Sequence, residues 1–358
     1  MKRFISLITI FSLLLTGCTP DKEILDDINL VTLIGFERVD RQTQGTTVVP
    51  QYQPDGSINN DYFTAVGEFG KDIGQKLNLQ TQRPLASGKI EIVLFGKEFA
   101  EGGVIETSDA FRRDPSVSAN LKLAVYDGNA HDFIMEHRLP NQDLGMALTR
   151  LIEQNSKQET FPPTNIHLFF RAFFTEGKDS FLPLLGVKER NVYLKGISLF
   201  KKGKMVGELP ASDLYLFTLL HNGFKNGSLV ANVKELKGQV SLGHIDAEPK
   251  IEFKGDVDSP EVTYNINLKA VINEYSGDIK GIEKKVNLIE KSVNKELKNK
   301  AESLIKSLQE QNLDPLGVGK SASAHYRNWN EKEWNEIYPD LKVKVNFNTN
   351  ILESGVMR

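Results

Sequence analysis

Apolar residues occupy every second position in Val262, Tyr264, Ile266, Leu268, Ala270 and Ile272, with mostly polar residues between them. That period of two predicts a strand with one buried face. Ser276-Gly277-Asp278 breaks the alternation, and the period then changes. Ile282, Val286, Ile289, Val293, Leu297, Ala301, Leu304 and Leu308 recur at threes and fours, the spacing of an amphipathic helix of about 30 residues with a charged outer face. Asp314-Pro315-Leu316-Gly317 stops it, and a shorter helical stretch follows around Trp329 and Trp334. Val343, Val345, Phe347, Thr349 and Ile351 then alternate in a closing strand. Strands, two helices and a returning strand predict helices laid on an antiparallel sheet.

The earlier chain is less regular. Asn29 to Asp40 reads as a strand, residues 41–60 as a turn-rich loop or hairpin, and Lys71 to Leu79 as a helix. Ile90, Ile92 and Leu94 alternate toward Gly96, and a helical stretch then runs to Asp114-Pro115, where it ends because a residue before proline avoids the helical region. Leu121 to Tyr126 predicts another strand. From His131 the pattern is helical, with Leu144, Leu148, Leu151 and Ile152 on one face, until Pro162-Pro163 sets off Asn165 to Phe174. Tyr193 to Phe200 and Lys204 to Leu209 predict paired strands about Lys202-Gly203. The expected division is a signal peptide over 1–17, an N-terminal α+β domain over 18–128, a middle domain over 129–210 and a C-terminal α+β domain over 211–358, with the long helix at about 281–311. The fold class is α+β, in three domains, with mixed and antiparallel sheets flanked by helices.

Lys2 and Arg3 precede an apolar run, Phe4 to Leu15, that closes in Leu13-Leu14-Leu15-Thr16-Gly17-Cys18. A membrane-spanning helix needs roughly 20 apolar residues, so this dozen reads as an export signal of the bacterial lipoprotein kind. Cys18 would become the first mature residue and carry a covalent diacylglycerol and acyl lipid. It is the only cysteine in the chain, which excludes intrachain disulfides and cysteine-based metal clusters. A mature chain of this length exceeds one compact core and implies two or three domains. Hydrophobic residues make up 40% and charged residues 25%, ordinary globular values. Loss of Lys2 and Arg3 moves the formal charge from −3 to −5, and no block of like charges follows, so no nucleic acid partner is expected.

Catalytic chemistry is hard to find. His131, His137, His167, His221, His244 and His325 are scattered without the spacing that puts two metal ligands on one helix face, so no metal site is expected. There is no Gly-x-Ser-x-Gly elbow. Gly319-Lys320-Ser321 resembles the end of a phosphate-binding loop, but the required first glycine falls on Asp314, whose charge repels phosphate. Glu98, Glu101 and Glu106 fit a solvated helix face better than an acid–base pair. The chain is therefore expected not to be an enzyme. Arg112, Arg113 and Asp114 form a candidate partner-binding corner, and also a helix end whose basic side chains suit the C-terminal dipole. Trp329 and Trp334 offer a ligand platform, or packing against the long helix.

Several short segments occur in an order that resembles the C-subunit lipoproteins of bacterial spore germinant receptors, the GerAC or Ger(x)C family. They are Arg83-Pro84-Leu85 with Gly88-Lys89 leading into Ile92-Val93-Leu94-Phe95-Gly96; Arg113-Asp114-Pro115; Pro163-Thr164-Asn165 and Leu182-Pro183; Lys195-Gly196-Ile197-Ser198-Leu199-Phe200 through Val206-Gly207-Glu208-Leu209; and Gln309 with Asp314, Gly317 and Gly319, followed by Trp334, Pro339 and the closing strand to Gly355. The resemblance runs from Cys18 to the C-terminus. Two features depart from it: Thr19-Pro20 follows Cys18 where the family commonly has tryptophan, and the first strand ends Leu33-Ile34-Gly35-Phe36-Glu37 in place of a Gly-Ile-Gly-Ile-Asp-like run. The resemblance implies three α+β domains and a non-enzymatic subunit held by its lipid on the outer face of the spore inner membrane. It also implies partners: an A-type and a B-type integral membrane subunit, one a transporter-like receptor for small nutrients and the other larger and proposed to form an ion channel. The alternative is a lipid-anchored extracytoplasmic solute-binding protein for a small nutrient. That role needs a cleft with convergent polar groups at a domain boundary, with Trp329 or Trp334 nearby.

Overall fold

The computed structural model describes residues 27–354 except 138, 234–235 and 278–281. Its largest feature is an eight-stranded mixed sheet, in the order β10-β9-β8-β7-β6-β2-β3-β4. The strands are β2 (Leu33–Val39), β3 (Gln42–Tyr52), β4 (Ile58–Gly67), β6 (Ile92–Gly96), β7 (Lys122–Tyr126), β8 (Ser180–Lys188), β9 (Asn191–Lys201) and β10 (Lys204–Pro210). Short β1 (Asn29–Leu30) and β5 (Leu85–Ala86) pair separately. Residues 41–60 thus build most of an antiparallel hairpin, β3 with β4. Strands from either side of residue 128 share the large sheet, because β7 pairs with β8 at Val125–Leu184 and Tyr126–Leu185.

The central strands are parallel and buried on both faces. The alternation of Ile90, Ile92 and Leu94 marks a strand, and β6 is one, dry on both faces. All of Ile92-Val93-Leu94-Phe95-Gly96 is buried, and Ile90 lies outside the strand. The even positions enter one apolar cluster with α4 (Ala130–Glu136) and α5 (Leu144–Lys157); the odd positions enter a second with α2 (Lys97–Gly102), α3 (Ile105–Arg113) and α6 (Ile166–Phe173). Helix α1 (Gly70–Asn78) covers β4. Asn165 caps α6 by accepting from Leu168 N–H at 2.8 Å. Asn165→Ala is expected to cost about 1 kcal/mol, read as a lower urea midpoint at unchanged slope.

After α7 (Leu214–Asn222) comes a four-stranded sheet in the order β11 (Phe224–Val233), β12 (Gly238–Lys254), β13 (Glu261–Tyr275) and β14 (Val343–Ser354). The even residues Val262 to Ile272 are buried, as the alternation predicts, against Ile289, Val293, Leu297, Ala301, Leu304 and Leu308 of α8 (Val286–Glu310). Position 281, where the long helix is expected to begin, lies outside the described residues. Two short helices, α9 (Val318–His325) and α10 (Glu331–Ile337), precede β14. The expected antiparallel sheet is corrected in one respect: β14 runs parallel to β13. A long helical crossover carries the chain back to the end where β13 starts, so the returning strand takes the same direction. Polar side chains of α8 reach both outer strands of this sheet. Glu302, Asn294 and Glu290 accept from the backbone N–H groups of Val345, Thr349 and Ile351 in β14, while Glu296 accepts from Asn232 N–H in β11.

Candidate functional site at the junction of the two sheets

The two sheets meet where the segment just before β8 touches the turn between α8 and α9. Asp314 is buried, and its carboxylate accepts three backbone hydrogen bonds, from Gly317 at 2.8 Å, Val318 at 3.0 Å and Gly319 at 2.7 Å. These are the N–H groups a phosphate-binding loop would offer to a ligand, and here the chain's own carboxylate takes them. Burial pushes the Asp314 carboxyl up to about 6, against the pull of those donors.

The junction is stitched from both sides. Asp179 N–H donates to Asp314 carbonyl oxygen at 2.9 Å, and Asp314 N–H donates to Asp179 Oδ2 at 2.8 Å. Lys201 Nζ bridges Asp179 Oδ2, at 3.1 Å, and Asn312 carbonyl oxygen, at 2.8 Å. Gly177 carbonyl oxygen accepts from Lys320 N–H at 2.8 Å, and Gly177 N–H donates to Glu331 Oε1 at 3.2 Å. The backbones approach so closely that a Cβ on Gly177 would lie 2.5 Å from the Gly319 carbonyl carbon. Gln309 Nε2 donates to the carbonyl oxygens of Tyr338 and Leu341, and Tyr338 Oη donates to Leu313 carbonyl oxygen. Beside this seam lies a cleft of about 500 Å³, bordered by Lys178, Asp179, Lys201, Asp314, Glu331 and Trp334.

The sequence candidates fall in different places. Cys18 lies outside the described residues. Arg112 and Arg113, the last two residues of α3, both pair with Asp109. The Arg112 guanidinium lies 5.1 Å from the Phe170 ring centre, tying α3 to α6, whereas the Arg113 side chain is 73% exposed. Asp114 accepts from Ser116 N–H and Oγ and so turns the chain after α3. Trp334 is 2% exposed and packs at the seam with Tyr338, ring centres 6.4 Å apart; Trp329 lies beside it at 6.5 Å. Trp334 is therefore brought to the junction, and the arginine corner is not. Sequence reasoning missed Gly177, Asp179 and Lys201. Their signal is weak, because each bonds to residues more than a hundred positions away.

Among the described residues, no group of three or more histidine and carboxylate side chains is placed to hold a metal ion, and no helix is long and apolar enough to cross a membrane.

Residues 21–187 match the model for the spore germination protein N-terminal domain, and residues 195–355 match the spore germination B3/GerAC-like C-terminal model. The chain belongs to the GerAC family. Within that family it is similar to the spore germination protein GerQC of Bacillus cereus, 30% identical over 99% of both chains. Its fold is similar to that in the crystal structure of the GerBC protein, with a TM-score of 0.54 at 16% identity, covering 89% of this chain and 96% of that one. The fold is thus the α+β architecture of mixed sheets flanked by helices that the GerAC resemblance implies. Three residues that carry the resemblance in the sequence, Asp314, Gly319 and Trp334, lie at the seam of this GerAC-family chain, and a fourth, Gln309, holds the turn at Tyr338 behind it.

Proposed function

We propose that this chain is the lipid-anchored C subunit of a spore germinant receptor. It is held through lipid on Cys18 at the outer face of the spore inner membrane, and it is a non-enzymatic element for assembly and coupling with the A- and B-type membrane subunits. The observation that carries this reading is the match to GerAC-family models across both halves of the chain, with full-length similarity to a spore germination protein. The chemistry of three carboxylates drawn into the interior supports it. Glu37 accepts from the N–H groups of Arg38 and Ala130, Asp179 from Asp314 and Asp314 from residues 317–319, so each is spent on holding backbone. Two acyl chains, at about 0.8 kcal/mol per buried methylene, give an anchor that one chain would not.

Capture of a nutrient in the 500 Å³ cleft is the second reading, and the cleft's position at the junction beside Trp334 favours it. Its polar groups count against it: Asp179, Lys201 and Asp314 already bond to one another or to backbone.

Cys18→Ala, made in a spore-forming host that lacks redundant receptors, is expected to release the protein from the membrane fraction and to reduce nutrient-triggered germination. Release with normal germination to every nutrient tested would overturn the subunit reading.

A further inference from the structure

A second, smaller cleft of about 200 Å³ opens between α6, the start of β8, the end of α7 and α9. Four basic side chains line it, Arg171, Lys178, His221 and Lys320, and no carboxylate of the described residues does. Phe169 and Phe181 form an apolar wall. Across much of this surface cations find carboxylates, as Lys97 and Lys195 do at Asp127. Arg171, Lys178 and Lys320 make no ion pair among the described residues.

Lys178 is held in this position. Its Nζ lies 3.1 Å from His221 Nε2, and His221 Nδ1 faces the Asn222 side-chain oxygen. Assigned from that network, Nδ1 carries the proton and Nε2 accepts from the ammonium. Burial, with Lys178 beside it, pushes the imidazole down to about 4, so it stays neutral and adds no charge at pH 7. Burial and the neighbouring Lys320 push Lys178 down to about 8, with Arg171 acting the same way and Asp314 opposing. Asp314 is already taken up by the N–H groups of residues 317–319. A half-buried cation kept among like charges costs the folded chain stability, and an incoming anion reverses that cost.

We infer that this cleft binds a small organic carboxylate bearing an apolar group, its oxygens taken by Lys178, Arg171 and Lys320 and its apolar body laid against Phe169 and Phe181. The volume is below the roughly 300–1,000 Å³ of drug-sized sites, which limits the ligand to a ring or short chain. A zwitterion of the same shape is disfavoured, because its ammonium enters a field of three cations. The cleft is bordered by residues from both matched halves of the chain, so a bound anion joins them. The inference does not rest on the subunit role.

The test uses the full chain in a non-ionic detergent at low salt, titrated by calorimetry with 3-phenylpropionate and with L-phenylalanine, which differ by the ammonium group. The expected result is saturable binding of 3-phenylpropionate, with phenylalanine at least tenfold weaker. Lys178→Met, and separately the double variant Arg171→Gln/Lys320→Gln, should each weaken 3-phenylpropionate at least tenfold. Arg171 and Lys320 are exposed, so their replacement leaves the fold intact, and thermal melts of each variant check this. Absence of saturation up to about 10 mM, equal affinity for phenylalanine, or unchanged affinity in the folded double variant would each overturn the inference. None of these results bears on membrane anchoring or germination.

Discussion

Asp314→Ala is expected to lower the unfolding free energy by about 4 kcal/mol, because it leaves three buried N–H groups without an acceptor at a cost of roughly 1–3 kcal/mol each. The loss should appear as a lower urea midpoint. Proteolysis should report it locally, with early cleavage between α8 and α9, since the turn there keeps its shape through that carboxylate. Asp314→Asn separates charge from hydrogen bonding. The native carboxyl, at about 6, lies above its unfolded value near 3.9, so the native chain binds the proton more tightly than the unfolded chain between those values. The stability this contributes is fully present below about pH 4 and is lost as pH rises through about 6. The advantage of the parent over Asp314→Asn should therefore shrink by up to about 3 kcal/mol from pH 4 to 6 and stay level above. An advantage that grows over that range would mean that the three donors outweigh burial.

Gly177→Val is expected to cost about 3 kcal/mol or more, for reasons that add. The backbone at Gly177 has φ +67°, where a β-branched residue is strained by roughly 1–3 kcal/mol. Its Cβ would also stand 2.5 Å from the Gly319 carbonyl carbon and 2.7 Å from Lys320 nitrogen, which are backbone atoms that no rotamer change can move. Separating the two segments breaks the Lys320 N–H to Gly177 bond as well. Gly74→Val is the control, since a Cβ there meets nothing within 4 Å; it should shift stability only by the helix-propensity difference, a slight gain for valine. If the two variants melt alike, the close approach at the seam carries no weight.

The sequence makes some elements plain and hides others for physical reasons. Strand β13 and helix α8 are legible because each has one wet face, so periods of two and of three to four stand out. Strand β6 is legible as a strand, but its second dry face is not, since burial there removes the polar half of the pattern. The direction of β14 is hidden too, since alternation gives a buried face and says nothing about which way the neighbouring strand runs. At the junction, Asp314 with Gly317 and Gly319 is visible as a motif that fails as a phosphate loop, and the structure gives the failure a use. The basic cleft is invisible: Lys178 and His221 are separated by 43 positions, and only the fold brings Lys320 to them.

The side chains of α8 that hold the N–H groups of β14 and β11 have a bearing on how partners can approach. An outer strand with free N–H groups is a template onto which another chain can add a strand, in assembly or in aggregation. In the C-terminal sheet, Glu290, Asn294 and Glu302 occupy that template along β14, and Glu296 occupies it at Asn232 on β11. A single helix thus packs on the sheet's apolar face and caps backbone N–H groups at both rims, at three positions on β14 and at one on β11. A partner that approaches β14 meets side chains already seated on its backbone donors, and adding a strand there would first have to displace them.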